Sequence, residues 1–337
     1  MAPGPLPFGW TVGAGYARDD ENRFKSRFEG KFVRGDVVVP IAAHFAVTGG
    51  VGYENIKQTQ QDILRDSNGV PVVDANGDAI ADPSQPRLTA YDTSGLIWDA
   101  GFIWRPGPRT ELQVRGGRRY GSTSITGSFD HKFREGFGLH AGAYDAVDSF
   151  GHRLVSDLNN VPVDFVINPN PLNPGVGGTG CIFGTDPGSG VCFDDVLRSI
   201  RTGTFRTRGG TVSLSGGRGP WSLGLGASYN RRTYFAPLSG GPLNAGNVTD
   251  ESYSFSAQAT RKIGRYAGIT GDAFVGRFGS GLPGAEPVWS AGVTGAYYRS
   301  LFVERMRLQA ALGLYTTDSP QGSRTVGSAL LGLRYSF

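Results

Sequence analysis

Ala329-Leu330-Leu331-Gly332-Leu333-Arg334-Tyr335-Ser336-Phe337 reads as a single β-strand with two unlike faces. Side chains alternate across a strand with a period of two. Ala329, Leu331, Leu333, Tyr335 and Phe337 therefore share one face. Ser328, Gly332, Arg334 and Ser336 share the other, interrupted by Leu330. Such a strand predicts an apolar medium on one side and a polar one on the other. The fold follows if the same pattern recurs upstream.

It recurs along the chain. Trp10, Val12, Ala14 and Tyr16 alternate with Thr11, Gly13 and Gly15. Phe24, Phe28 and Phe32 are expected to oppose Lys25, Arg27, Glu29 and Lys31. Leu96, Trp98, Ala100, Phe102 and Trp104 oppose Asp99 and Arg105, and Leu112 and Val114 oppose Glu111, Gln113 and Arg115. Further on, Trp221 to Tyr229, Tyr253 to Ala259, Trp289 to Tyr297 and Met306 to Leu314 repeat the alternation. This gives about 14 segments of barrel-strand length, with 12 or 16 as the neighbouring even counts. An even count puts both termini on one side. The connections expected there are 35–40, 106–108, 134–136, 217–220, 263–265 and 300–303, all short. Those on the other side, 56–91, 149–205, 234–250 and 279–287, are mostly long.

Composition agrees with this reading. The chain has 337 residues, with 53 Gly and 20 Pro, which disfavours helix. No run approaches the roughly 18 apolar residues of a membrane helix. Alternating strands average to neutral hydropathy even when they cross a bilayer. Trp and Tyr at so many strand ends fit interfacial girdles. The expected fold is all-β, a transmembrane antiparallel up-and-down β-barrel with short turns on one side and long external loops, 57–90 and 149–205, on the other. Residues 1–8 are expected to be a disordered or vector-derived terminus, and 9–337 a single barrel. Met1-Ala2-Pro3-Gly4-Pro5 has no basic-then-apolar leader, so Met1 is read as a mature or artificial start.

The terminal strand resembles the assembly signal of bacterial outer-membrane β-barrels. That resemblance makes Phe337, Tyr335 and Leu333 the signal read by the barrel assembly machinery. It places the chain in the bacterial outer membrane, among its lipids and lipopolysaccharide.

The polar faces carry more cations than acids. Lys25, Arg27, Arg115, Arg119, Arg305 and Arg307 are expected to line the lumen, with Asp99 and Glu111 among the acids. Two consequences compete. A basic lumen focuses its field and favours anions. Alternatively, the charges pair across neighbouring strands and stiffen the wall. About 14 strands lie between a filled eight-stranded barrel and an open 16-stranded pore. The loop 149–205 could narrow that passage or lie outside it. Cys181 and Cys192, within it, suit a disulfide in an oxidising compartment, the alternative being two free thiols.

Asp74, Asn76, Asp78 and Asp82 are spaced like the start of a Ca2+ loop. Ala79 and Gln85 stand where such a loop needs a turn glycine and a bidentate acid. The favoured reading is a small hairpin with Asn-Gly turns at Asn68-Gly69 and Asn76-Gly77. Enzyme chemistry is not expected. Of four histidines, only His152 lies at a loop edge, near Asp148 and Ser149, and nothing in the sequence orients a relay. No other cofactor and no nucleic-acid partner is indicated.

The stretch from Gly95 through Trp104-Arg105-Pro106-Gly107-Pro108-Arg109-Thr110 to Gly117-Arg118-Arg119-Tyr120-Gly121, with Phe129-Asp130-His131, resembles one outer-membrane barrel family. This is the family associated with PEP-CTERM and exopolysaccharide loci, close to the β-barrel porin 2 group. The resemblance is close over Thr93 to Phe133 and implies surface-polysaccharide export or envelope architecture. The expected function is a porin-like channel for small, anionic solutes or for surface polysaccharide. The alternative is a non-conducting structural or adhesion barrel displaying disulfide-tied loops.

Overall fold

A computed structural model describes residues 8–21, 25–70, 72–75, 80–159, 161–164, 170–172, 181–192, 204–235, 248–282, 284–302 and 306–335. Its strands are β1 (Gly9–Glu21), β2 (Ser26–Ala42), β3 (Phe45–Gln60), β4 (Leu88–Gly107), β5 (Thr110–Arg119), β6 (Ser122–Lys132) and β7 (Phe137–Ser149). Helix α1 (Phe150–Asn159) and a small hairpin, β8 (Cys181–Phe183) with β9 (Gly190–Cys192), follow. The second half comprises β10 (Thr204–Arg218), β11 (Trp221–Tyr234), β12 (Thr249–Ile263), β13 (Ala267–Gly279), β14 (Val288–Leu301), β15 (Met306–Ser319) and β16 (Gly322–Tyr335).

All but β8 and β9 form one 14-stranded antiparallel sheet, each strand beside its neighbour in sequence. The fold is therefore all-β and up-and-down, with the strand number the alternation predicts. Among the described residues the ladder runs from β1 to β16 without a hydrogen-bonded pair between those two strands. Among the described residues no helix is long and apolar enough to cross a membrane, which says nothing of strands. The turns on the terminal side are short, as between Gly107 and Thr110 or Arg218 and Trp221. The long connections, 61–87 and 150–203, lie at the opposite rim.

Two local expectations are corrected. The connection expected at 35–40 is strand. β2 runs on through Val37, Val38 and Val39, and the turn comes after Ala42, next to a bulge between Pro40 and Ala42. The β-branched run fits a pleated surface, and proline is tolerated at a bulge. The faces of β2 are also inverted. Phe32 pairs with Gly15, and its ring fills the space a side chain there would need. Phe28 is buried against Ile56 and Val147. Arg27, Glu29 and Lys31 instead share a face with the exposed Val33, Val37 and Val39. Charge opposed to phenylalanine looked like lumen opposed to lipid; here it marks the end of β2 that rises beyond the apolar band.

The outer face is apolar and open. Val12, Val51, Leu96, Val293, Leu312 and Leu331 are all more than half exposed. Aromatics rim it on both sides. Tyr229 packs at a tilt against Tyr253 at 4.9 Å at one rim, and Phe45 stacks on Phe102 at 5.7 Å towards the other. On β11, Trp221 and Tyr229 are eight residues apart, which spans about 26 Å at the usual strand rise. At the usual strand tilt of about 40° this is roughly 20 Å along the membrane normal, comparable with the roughly 25 Å apolar band of transmembrane barrels.

Candidate functional site

The inner face carries Thr48, Ser213, Ser215, Asn230, Ser254, Ser256, Thr270, Asp272 and Thr294, all buried. Polar groups are buried on a strand face only where something covers them. Along β10 to β15 the cover is the long connection between β7 and β10. Its hairpin is closed by a disulfide between Cys181 and Cys192, directly paired across β8 and β9. The described residues 170–172 and 181–192 of the connection thus lie against the inner face, a placement the sequence left undecided.

The wall is shaped to receive it. A Cβ at Gly226 would lie 2.9 Å from the Cys181 Sγ and 3.1 Å from the Cys192 Sγ. A Cβ at Gly224 would fall inside the Phe183 ring. Polar contacts fix the rest. The Ser215 hydroxyl donates to the Ser189 carbonyl at 2.9 Å. The Asn170 amide donates to Thr294 Oγ1 at 2.6 Å and to Asp272 at 3.1 Å. Tyr315 donates to the Leu172 carbonyl at 3.2 Å. Gly224→Val is expected to unseat the hairpin while leaving the strand intact. The measurement is the rate at which a membrane-impermeant phosphine reduces Cys181–Cys192 in the folded protein. An increase of several-fold is expected, and an unchanged rate argues against the seat.

The opposite wall, β2 to β5, holds a ring of charge. Arg34 bonds Asp36 at 2.7 Å and Asp99 at 2.5 Å. Arg115 reaches Asp36 at 2.9 Å and Asp99 at 3.6 Å. Two arginines and two carboxylates alternate, so the ring has no net charge. Nearer the long loops, buried Glu54 accepts from Arg119 Nε at 2.9 Å and from the Tyr120 backbone N–H at 2.9 Å. A cavity of about 340 Å³ lies between these groups, lined by Phe32, Arg34, Asp99, Arg115, Arg119 and Asp145 among others.

That rim is narrowed by the wall itself. β7 pairs with β6 only from Ala143 to Gly138. Beyond Ala143 it leaves β6, and Val147 packs with Phe28 and Ile56. Tyr91, Tyr120 and Phe235 pack around that cluster. Asp145 receives Arg206 at 2.7 Å, and Ser149 donates to Asp19 of β1 at 2.5 Å, tying β7 across to the first strand.

The residues expected to line the lumen divide. Arg115, Arg119 and Asp99 are inward and paired as described. Glu111 is inward near the short turns and bonds Arg105 at 2.7 Å. Arg307 lies over the Tyr298 ring at 4.9 Å. Arg27 faces outward and bonds Asp20 at 2.7 Å. Lys25 sits in the exposed turn before β2, where its carbonyl accepts from Arg87. Arg305 and Phe337 lie outside the described residues; Leu333 and Tyr335 are exposed on the outer face of β16. Sequence reasoning missed Arg34 and Asp36, which it had placed at or beside a turn.

Of the Ca2+ candidates, Asn76 and Asp78 lie outside the described residues. Asp82 accepts from the Ser84 N–H at 2.9 Å and the Ser84 hydroxyl at 2.6 Å. These bonds hold its carboxyl below the usual range, the side-chain bond contributing most. Asp74 does not group with two other potential ligands among the described residues. The first expected turn is present: Asp66 Oδ1 accepts from Asn68 and Val70, and Gly69 has φ 79°. His152 Nδ1 lies 2.6 Å from Asp148, but Ser149 Oγ accepts from the His152 backbone N–H and donates to Asp19. That serves to start a helix, not to activate a nucleophile.

No family model matches this chain, and no curated protein does. Among solved structures it is similar to OmpT, an outer membrane protein of Vibrio cholerae, at 9% identity and a TM-score of 0.34, covering 97% of this chain and 95% of that one. It is similar to the outer membrane channel DcaP of Acinetobacter baumannii at 13% identity and 0.35, covering 98% and 95%. The siderophore receptor PirA from Pseudomonas aeruginosa overlaps at 13% and 0.42, covering 98% of this chain and 55% of that one. The superpositions are too loose to carry an argument about function.

Proposed function

We propose that this chain is an outer-membrane channel of restricted bore for small solutes. The observation that carries it is the division of one 14-stranded sheet into an apolar exposed face and a polar covered one, with residues 170–172 and 181–192 of the long connection seated on the polar side. An inward loop in a barrel wider than eight strands leaves a narrowed passage rather than a filled core. The bacterial outer membrane is the compartment that suits such a wall and a disulfide. Strong anion preference is not expected, because Arg34 and Arg115 are matched by Asp36 and Asp99, and Arg119 by Glu54. The narrowed lumen suits small solutes better than a surface polysaccharide.

Single-channel recording in planar bilayers tests this. Small, steady conductance steps with a reversal potential near zero in a salt gradient are expected. A complete lack of steps favours the second reading, a non-conducting structural barrel, which the Phe28–Ile56–Val147 cluster at the loop-side rim supports. Assembly by the barrel machinery is tested at the other end of the chain. Deleting Phe337 is expected to lower the folded protein in the outer membrane several-fold, measured by heat-modifiable mobility, with synthesis unchanged.

A further inference from the structure

At the long-loop rim the outer face of β11 to β13 carries Arg231, Glu251 and Arg277. Arg231 lies 3.7 Å from Glu251. Arg277 has no carboxylate partner among the described residues. It stands on β13 between Tyr253 of β12 and Trp289 of β14, its direct partners in register. Its guanidinium carbon is 5.9 Å from each ring centroid. Stacking on two rings orients the guanidinium without using its N–H donors. Towards the middle of the wall the clamp opens onto Phe255, Val275 and Val293, each two-fifths or more exposed. A cation whose donors have no partner among the described residues, walled by girdle aromatics and set above an apolar surface, matches a phosphate headgroup with its acyl chain below.

We propose that Tyr253, Arg277 and Trp289 hold the phosphate of a membrane lipid in the leaflet facing the long loops. This rests on the membrane-spanning reading above. The probe is phosphatidic acid added to the detergent-solubilised full chain, read by native mass spectrometry. Diacylglycerol and inorganic phosphate are the comparison ligands. Wild type is expected to retain phosphatidic acid, Arg277→Gln to hold it about tenfold more weakly, and Arg277→Lys to fall between, since lysine cannot chelate two oxygens. Diacylglycerol is expected not to bind, and inorganic phosphate not to displace the lipid. Equal retention by Arg277→Gln overturns the proposal, as does inorganic phosphate binding as tightly as the lipid. Heat-modifiable mobility confirms that each variant is folded. Failure of the wild type to insert into vesicles is a separate result that sinks the membrane reading itself.

Discussion

Excising residues 161–202 is expected to raise single-channel conductance several-fold while the barrel still folds. The connection occupies the inner face from Gly138 on β7, where Pro187 and Gly188 lie against the strand, to Tyr315 on β15. None of its described contacts is part of the wall's own ladder, which continues directly from β7 to β10. Removing it should therefore empty cross-section without breaking strand pairing. The polar residues it covers, Ser215, Ser256 and Thr294 among them, would be satisfied by water. Conductance follows the open cross-section, and about 14 strands enclose more than side chains can fill. A gentler form of the experiment is Cys181→Ser with Cys192→Ser. Losing the crosslink frees a short loop, a change worth up to about 3 kcal/mol of local order. Flickering between the wild-type level and a higher one is expected. Unchanged conductance on excision would place the constriction instead at the Phe28–Ile56–Val147 cluster, and the loop would then be a filler.

The sheet was legible because its signal is repeated. Each strand alternates faintly, but 14 of them, sorted by loop length, leave one reading. β12 and β15 show it most plainly: Tyr253, Phe255 and Ala257 face outward, and Leu308, Leu312 and Leu314 do the same. β2 misled because a strand that rises past the membrane rim no longer keeps charge inside and apolar groups outside. At that height both faces meet water or packed loops, so Arg27 turns outward and Phe28 is buried. The charge ring was half legible. Asp99 and Arg115 stand on inward positions of regular strands. Arg34 and Asp36 flank Gly35, and their local sequence resembles a turn until the pairing with β3 is known. The direction of the long loop was not legible, because nothing local in Asn168 to Gly190 specifies a seat. The seat is written in the wall, as glycines at 224 and 226 whose absent side chains make room for Phe183 and the disulfide. A glycine on the inner face of a long strand, opposite no turn, is the signal that could have found it.

Asp99→Asn is expected both to destabilise the barrel and to make it anion-selective. Asp99 is mostly buried and faces Arg34 at 2.5 Å and Arg115 at 3.6 Å. With it ionised, two guanidinium groups face two carboxylates. With asparagine there, both cations must share Asp36, and the ring gains a net positive charge. Stranding a mostly buried cation typically costs about 3–5 kcal/mol, and lumen water should reduce that to about 2–3 kcal/mol here. The expected measurement is a lower urea midpoint for loss of heat-modifiable mobility, with the slope of the transition unchanged. In bilayers the reversal potential should move from near zero towards the anion equilibrium value, because one uncompensated charge in a narrow tube sets the local field. Adding Arg115→Met to Asp99→Asn removes the surplus charge. The pair of changes should cost less than the sum of the two single ones, since each single variant leaves a partner stranded. Independent, additive losses would mean that the four side chains do not act as a ring. The neutral lumen inferred from their pairing would then have to be abandoned, and the anion-selective channel expected from charge counting alone would regain its standing.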